Sequence, residues 1–191
     1  GPSASVSVRS LYLPLWMRDC EGDEALRIKE AAKKGRIPVY YLKKDMRIVR
    51  GKLSLEVLHP DEEDYEERPN EGSLVLELKY GKFRGLLTGD LEKEGERAVL
   101  PFLERCDFLK VGHHGSREAT ASEMLQSLKP KISVISCGKK NRYGHPHSEV
   151  TERLEQIGCD TYITWKSGAV MVRTDGLNIW SKCFRAFDYV R

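Results

Sequence analysis

The sequence lacks the features that mark several common classes of protein. Its apolar runs last only a few residues, so none is long enough to cross a bilayer as a helix. The first residues do not show the basic and then apolar pattern of a secretory signal. The five cysteines are odd in number and include no CxxC pair, which argues against a disulfide scaffold and a zinc ribbon. The net charge of +3 is too small to identify a nucleic-acid-binding protein from totals alone.

The length and the pattern of apolar residues predict a single α/β domain. A chain of 191 residues can bury a substantial core but is short for two full domains. Residues 1–5 are interpreted as a cloning remnant, so we expect one domain over residues 6–191. The apolar spacing predicts a helix from Asp23 to Lys34 that ends at Gly35. Strands then alternate with helices in the second half of the chain, with hairpins on either side. We therefore expect a mixed sheet flanked by helices.

The two ends of the chain and one internal segment carry further expectations. A strand is predicted from Val6 to Leu13, and the acidic stretch from Asp61 to Glu67 is interpreted as a solvated loop. Near the C-terminus, Tyr162 to Trp165 and Ala169 to Arg173 are expected to form a hairpin. A last strand is predicted from Leu177 to Lys182.

Four of the five histidines and one aspartate fall in three short segments. Asp90, the adjacent His113 and His114, and His145 each follow an apolar run at a turn that contains glycine. Taken singly, such residues would ordinarily be a helix cap and solvated turn residues. Residues that follow neighbouring strands, however, point into the cleft at one edge of an α/β sheet. Their shared placement therefore favours one common site.

The residue types in these segments are those that bind transition metals. Imidazole nitrogen and carboxylate oxygen are the usual non-thiolate ligands of zinc and manganese, and a carboxylate can bridge two ions. If the preceding strand continued, His113 and His114 would point in different directions, so one could bind metal while the other binds substrate or packs. The sequence leaves open which one does so. His59 and His147 are interpreted as structural, with His147 at the start of a helix.

Three motifs taken together resemble a known family. They are LLTGD at 86–90, LKVGHHGS at 109–116 and VISCGKKNRYGHPH at 134–147. In order and spacing they resemble the metallo-β-lactamase-like domain at the C-terminus of ComEC-family competence proteins. The resemblance extends from Leu11 to Arg173 and so covers most of the chain.

The resemblance implies an αββα sandwich with a two-metal site, for zinc or manganese, at the edge of two facing sheets. It implies attachment to a channel of the bacterial plasma membrane, with this soluble domain on the outer face. There the domain would degrade the DNA strand that does not enter the cell. The implied partners are single-stranded DNA, through its phosphates, and the rest of the channel protein. The implied residues are Asp90, His114 and His145 for catalysis, Asp90, His113 and His114 for metal, and Lys110, Ser116, Lys139, Asn141 and Arg142 for substrate.

One element of the family pattern is missing from the sequence. Metallo-β-lactamase folds carry a His-x-His-x-Asp-His cluster, which occurs nowhere in this chain. Asn70 to Ser73, where other relatives have a further histidine, offers only weak oxygen donors. The chain is therefore interpreted as mostly the C-terminal half of such a domain. With about three ligands at most, we expect it to bind divalent metal weakly or not at all and to have little nuclease activity alone.

Two other functions stay open at this level. The chain could be a non-catalytic interaction domain that keeps the fold without its metals. It could also belong to another hydrolase of the same superfamily, acting on phosphorylcholine esters or lactones. Separately, the sheet face that the missing half of the domain would have covered could support a homodimer.

Overall fold

The computed structural model describes residues 7–62, 65 and 67–184. Within these residues the chain forms eleven strands and five α-helices. The strands are β1 (Leu11–Pro14), β2 (Val39–Leu42), β3 (Arg47–Arg50), β4 (Leu53–His59), β5 (Val75–Tyr80), β6 (Phe83–Leu87), β7 (Phe108–Lys110), β8 (Ile132–Ile135), β9 (Asp160–Ile163), β10 (Ala169–Thr174) and β11 (Ile179–Phe184). The helices are α1 (Asp23–Lys34), α2 (Lys93–Val99), α3 (Ser122–Leu128), α4 (Ser148–Gln156) and α5 (Thr164–Ser167). Single turns of 3-10 helix cover Leu15–Arg18, Leu100–Phe102 and Gly112–Gly115.

A seven-stranded mixed sheet forms the centre of the fold. Its strand order follows the chain from β3 to β9. Strands β3 to β6 pair antiparallel as successive hairpins, whereas β6, β7, β8 and β9 pair parallel. Parallel neighbours need crossover connections, and α2, α3 and α4 lie in these connections. The predicted mixed sheet flanked by helices is confirmed.

Helix α1 has the predicted bounds, and its sequence explains them. Asp23 begins the helix and Lys34 ends it, so the charges at both ends interact favourably with the helix dipole. The buried residues Ala25 and Ala32 lie on one face, and the chain leaves the helix at Gly35. None of the helices in the described part of the chain is long and apolar enough to cross a membrane.

The main core lies between the parallel strands and the helices that connect them. Strand β8 is buried at all four positions, as expected for a parallel strand inside a layered α/β fold. Leu109 and Val111 at β7 are fully buried beside it. The helices α3 and α4 contribute Met124, Leu125, Leu128, Val150 and Leu154 to the same cluster. This close packing fixes the positions at which β6, β7 and β8 end.

The predicted hairpin near the C-terminus is wrong. Residues 160–163 pair in parallel with β8 as the last strand of the large sheet, and β10 pairs instead with β11. Between them, Thr164–Ser167 forms α5. The Thr164 hydroxyl accepts a hydrogen bond from the Cys137 amide and donates to its carbonyl, both at 3.0 Å, which keeps the chain beside β8. Alternation of apolar residues identifies a strand but not its partner.

Two predictions for the first third of the chain need correction. Strand β1 begins only at Leu11, and Val6 lies outside the described residues. The acidic stretch is not uniformly solvated, because the Tyr65 ring is buried and its hydroxyl donates to Asp61 at 2.9 Å. An aromatic ring is buried far more readily than a charged carboxylate. The remaining acidic residues Glu63, Asp64 and Glu66 lie outside the described residues.

Candidate functional site

The candidate site lies where β6, β7 and β8 end. These strands are adjacent and parallel, so the loops that follow them meet at one edge of the sheet. The amide of His113, after β7, donates to the carbonyl of Gly89, after β6, at 3.1 Å. The amide of His147, beyond β8, donates to the carbonyl of Gly115 at 2.9 Å. The structure therefore brings the three predicted segments into direct contact.

The backbone of the histidine pair is unusual. His113 and His114 have φ angles of 42° and 56°, so both adopt the left-handed conformation. Each such residue costs roughly 1–2 kcal/mol when it is not glycine. The sequence left open a strand that continued through this pair. Instead, β7 ends at Lys110 and a tight turn follows it. The two rings nevertheless diverge, with their planes at 61° and their centroids 6.4 Å apart.

Asp90 and His114 face each other across the first two loops. The carboxylate Oδ2 of Asp90 lies 3.8 Å from His114 Nε2, and the Asp90 amide donates to the Ser73 hydroxyl at 3.1 Å. His114 Nδ1 lies 2.7 Å from the Ser136 carbonyl. A carbonyl can only accept a hydrogen bond, so Nδ1 carries a proton, and Nε2 is the ring nitrogen that faces Asp90.

The structure adds Glu92 to the site, a residue that the sequence analysis did not consider. Glu92 Oε1 lies 3.0 Å from His113 Nδ1 and accepts a hydrogen bond from the Asn70 amide at 3.0 Å. The contact with His113 is close but poorly aligned, so this buried Nδ1 has no hydrogen-bond partner among the described residues. Glu92 follows Asp90 by two residues at the start of α2, and this spacing is the only signal that could have indicated it.

His145 lies among the other imidazoles. Its ring centroid is 5.6 Å from that of His113, 6.5 Å from that of His114 and 4.9 Å from that of His147. Burial lowers the pKa of His145, and the neighbouring imidazoles lower it further. His145 is therefore neutral at physiological pH and can accept a proton or coordinate an ion.

The two remaining histidines have the structural positions that were predicted. His147 immediately precedes α4, and its Nδ1 accepts a hydrogen bond from the Arg117 amide at 3.0 Å. His59 is buried, and its Nε2 lies 2.6 Å from the Glu71 carbonyl. Both rings are thus engaged with the backbone.

The five predicted substrate residues divide into two groups. Lys139 and Arg142 are exposed on the loop that follows β8. Asn141 instead holds this loop together, since its side chain bonds to the Gly138 carbonyl and to both the amide and the carbonyl of His145. Its contacts therefore position His145.

Lys110 and Ser116 lie deeper than the exposed pair. The Lys110 ammonium donates to the Val111 carbonyl at 2.9 Å, and burial lowers its pKa despite the opposing effect of the Asp90 carboxylate. Ser116 is buried, and its hydroxyl accepts a hydrogen bond from the Glu118 amide at 3.3 Å. The structure therefore does not place the Ser116 hydroxyl on the open surface of the site.

The donor atoms of the site match a transition metal in type but not in number. Carboxylate oxygen and neutral imidazole nitrogen suit zinc or manganese. However, no three histidine, cysteine, aspartate or glutamate side chains among the described residues are arranged to hold an ion. Asp90 and His114 form a pair, whereas a hydrolytic zinc site uses three protein ligands for each ion. The residues present therefore do not fit a two-metal centre.

Comparison with known proteins places the fold in a family. Residues 8–139 match the metallo-β-lactamase superfamily, which is more than half of the chain. The chain belongs to this superfamily. Members of the metallo-β-lactamase superfamily generally use divalent metals, and the predicted metallo-β-lactamase fold is confirmed.

Named relatives of this chain include Competence protein ComA of Neisseria gonorrhoeae, which is 33% identical over 104 residues, covering 53% of the chain and 15% of that relative. The chain is 36% identical over 168 residues to ComE operon protein 3 of Bacillus subtilis, covering 87% of the chain and 21% of that relative. It is 38% identical over 103 residues to Recombination protein 2 of Haemophilus influenzae, covering 54% of the chain and 13% of the relative. The predicted resemblance to competence proteins is confirmed, and the chain spans between 13% and 21% of these relatives.

Solved structures show more distant similarity. The metallo-β-lactamase fold protein YhfI from Bacillus subtilis shares 13% sequence identity with the chain, at a TM-score of 0.48. The match covers 84% of this chain and 62% of that protein.

Proposed function

We propose that this chain is part of a DNA-processing hydrolase domain in a competence protein, and that its site binds the DNA phosphate backbone. One observation carries the proposal, namely that Asp90, His114 and His145 share a sheet edge with the basic loop at 138–143. A phosphodiester hydrolase needs such an arrangement, because the scissile phosphate must reach the hydrolytic groups while cations hold its neighbours.

Three basic side chains near the site lie on its solvent side. Lys139, Lys140 and Arg142 are exposed, so their side chains are accessible to phosphates at little cost in desolvation. Lys110 lies closer to Asp90, and burial of its ammonium lowers its pKa, although the Asp90 carboxylate acts in the opposite direction. Exposed cations at the rim and a half-buried cation inside provide a graded path for an anionic backbone.

The hydrolytic step would need more metal ligands than this chain provides. Because Asp90 and His114 form only a pair, we expect the chain to bind DNA without cutting it and to hold divalent metal weakly. The further ligands would come from sequence that this chain does not contain. Degradation of a non-entering strand, attachment to a membrane channel and a position on the outer face are parts of the same proposal.

A non-catalytic interaction domain is the second candidate function. The absence of three converging metal donors among the described residues favours it. The two candidates differ in their requirement for the basic loop, because phosphate binding depends on these cations whereas a protein interface need not.

The proposal is tested by measuring DNA affinity by fluorescence anisotropy over a range of salt concentrations. A labelled strand of about 20 nucleotides is long enough to fill a surface of this size. The double substitution Lys139→Glu and Lys140→Glu is expected to weaken binding about tenfold or more at low salt. It should also reduce the slope of log affinity against log salt by about 1.5, since two phosphate contacts are lost.

A matched pair of lysines serves as the control. Lys33 and Lys34 are exposed in the last turn of α1, so Lys33→Glu with Lys34→Glu gives the same change in net charge at another place. This control is expected to retain most of the affinity. The proposal fails if the chain does not bind DNA, or if both double variants lose affinity equally.

A further inference from the structure

Two exposed aromatic rings lie beside the basic side chains of the site. Tyr143 is 60% exposed, and the guanidinium carbon of Arg142 lies 4.7 Å from the centroid of its ring. Trp165 is 39% exposed, with the Lys139 ammonium 6.0 Å and the Lys166 ammonium 5.1 Å from the ring centroid. An exposed aromatic ring beside a cation offers a nucleotide both a face for its base and a charge for its phosphate.

Both rings border the same loop. Trp165 lies in α5, which is held against the end of β8 by the two hydrogen bonds between Thr164 and Cys137. Lys139 and Arg142 are three residues apart, so their α-carbons lie within about 11 Å of each other. The ring and cation pairs thus stand at the two ends of one short segment.

The Tyr143 ring also leads into the candidate site. It stacks on His145 at a centroid distance of 5.6 Å and an interplanar angle of 23°. His145 is in turn nearly parallel to His114, which faces Asp90. The Tyr143 ring is therefore connected to the Asp90 carboxylate through the two imidazoles.

We propose that Tyr143 and Trp165 are the residues of this surface that stack on the unpaired bases of a single strand. The inference rests on the proposed function, in which the loop binds phosphates, and adds the residues that contact the bases. In a duplex the base faces are already stacked on each other, whereas in a single strand they can stack on protein rings. A base that replaces the Arg142 guanidinium over Tyr143 leaves that cation to pair with the adjoining phosphate.

The test compares a labelled single strand with a duplex of the same length. Trp165→Ala and Tyr143→Ala are each expected to weaken single-strand binding about tenfold, because stacking contributes about 1–3 kcal/mol per base. Duplex affinity should be unchanged. Trp165→Phe and Tyr143→Phe keep a ring at each position and should retain most of the single-strand affinity.

Phe102 provides a matched control. It is 49% exposed with the Lys44 ammonium 3.8 Å from its ring centroid, but it lies in the 3-10 helix after α2. Phe102→Ala should leave single-strand affinity unchanged.

The outcomes separate this inference from the proposed function. Selective loss of single-strand affinity in the alanine variants supports the inference. The inference is overturned if the alanine variants of Tyr143 and Trp165 bind the single strand as the wild type does. It is also overturned if Phe102→Ala loses as much single-strand affinity as they do. A loss caused only by charge reversal at Lys139 and Lys140 would then leave the proposed function intact. Failure of the wild type to bind either form of DNA would overturn both.

Discussion

Gly115→Ala is expected to destabilise the protein by about 2–4 kcal/mol and to separate the second loop of the site from the third. Gly115 has a φ of +83°, where a side chain costs about 1–2 kcal/mol. An added Cβ would lie 2.6 Å from Pro146 Cβ and 3.2 Å from Ile135 Cγ2, and overpacking of this kind typically costs a further 1–3 kcal/mol. Urea denaturation followed by circular dichroism measures the loss.

The same substitution should also weaken DNA binding, because Gly115 accepts the hydrogen bond that joins the loop of His114 to that of His147. Gly138→Ala is the matched control, since no atom of the described residues lies within 4 Å of its added Cβ. We expect this control to match the wild type in stability. Equal stability of the two variants would show that the loops are not packed as described.

Glu96→Ala is expected to cost about 3 kcal/mol of folding stability. Glu96 is 3% exposed, and its carboxylate accepts hydrogen bonds from the backbone amides of Thr120 and Ala121, just before α3. Truncation would leave one buried and one partly buried donor without a partner, each costing about 1–3 kcal/mol. The Thr120 hydroxyl also accepts a hydrogen bond from the Gly112 amide at 3.3 Å, so loss of the carboxylate should loosen the histidine turn as well.

The cost of Glu96→Ala should depend on pH in a defined direction. Burial is the largest cause of a raised pKa at Glu96, outweighing the effect of its backbone hydrogen bonds. A raised folded-state pKa means that this group stabilises the fold most below its unfolded pKa of about 4.3 and less as pH rises through the folded value. The difference in stability between wild type and variant should therefore be larger at acid than at alkaline pH.

Glu94→Ala controls for loss of a carboxylate from the same helix. Glu94 is exposed and pairs with exposed Arg68, a type of contact worth about 0–1 kcal/mol. A small loss for this variant and a large one for Glu96→Ala would support the bridge between α2 and α3. Similar small losses for both would contradict it.

Local patterns in the sequence were sufficient to locate the candidate site. Helix α1 was predicted with its observed bounds because apolar spacing, end charges and Gly35 agree. The three loops were placed at one edge because each follows an apolar run, and parallel strands deliver their ends to the same side. Both inferences need only the residues near each position.

Contacts between distant segments were not accessible in the same way. His113 contacts Glu92, which Asn70 also contacts, from a turn with left-handed backbone angles that non-glycine residues rarely adopt. The hairpin prediction failed for a related reason. Strand β9 (Asp160–Ile163) pairs with the edge of β8, which is distant in sequence, and not with the strand that follows it. Such choices depend on which sheet edge and which packing partners are available, and these are properties of the whole fold.

The central claim is that Asp90 and the imidazoles of His113, His114 and His145 share one cleft and form an incomplete metal site. Zinc titration followed by NMR of the ¹⁵N-labelled histidine rings tests it directly. The account predicts weak, non-saturating shifts that are largest at His114, that leave buried His59 unchanged, and that disappear in Asp90→Asn. Tight saturation at two zinc ions, or shifts that do not depend on Asp90, would contradict it.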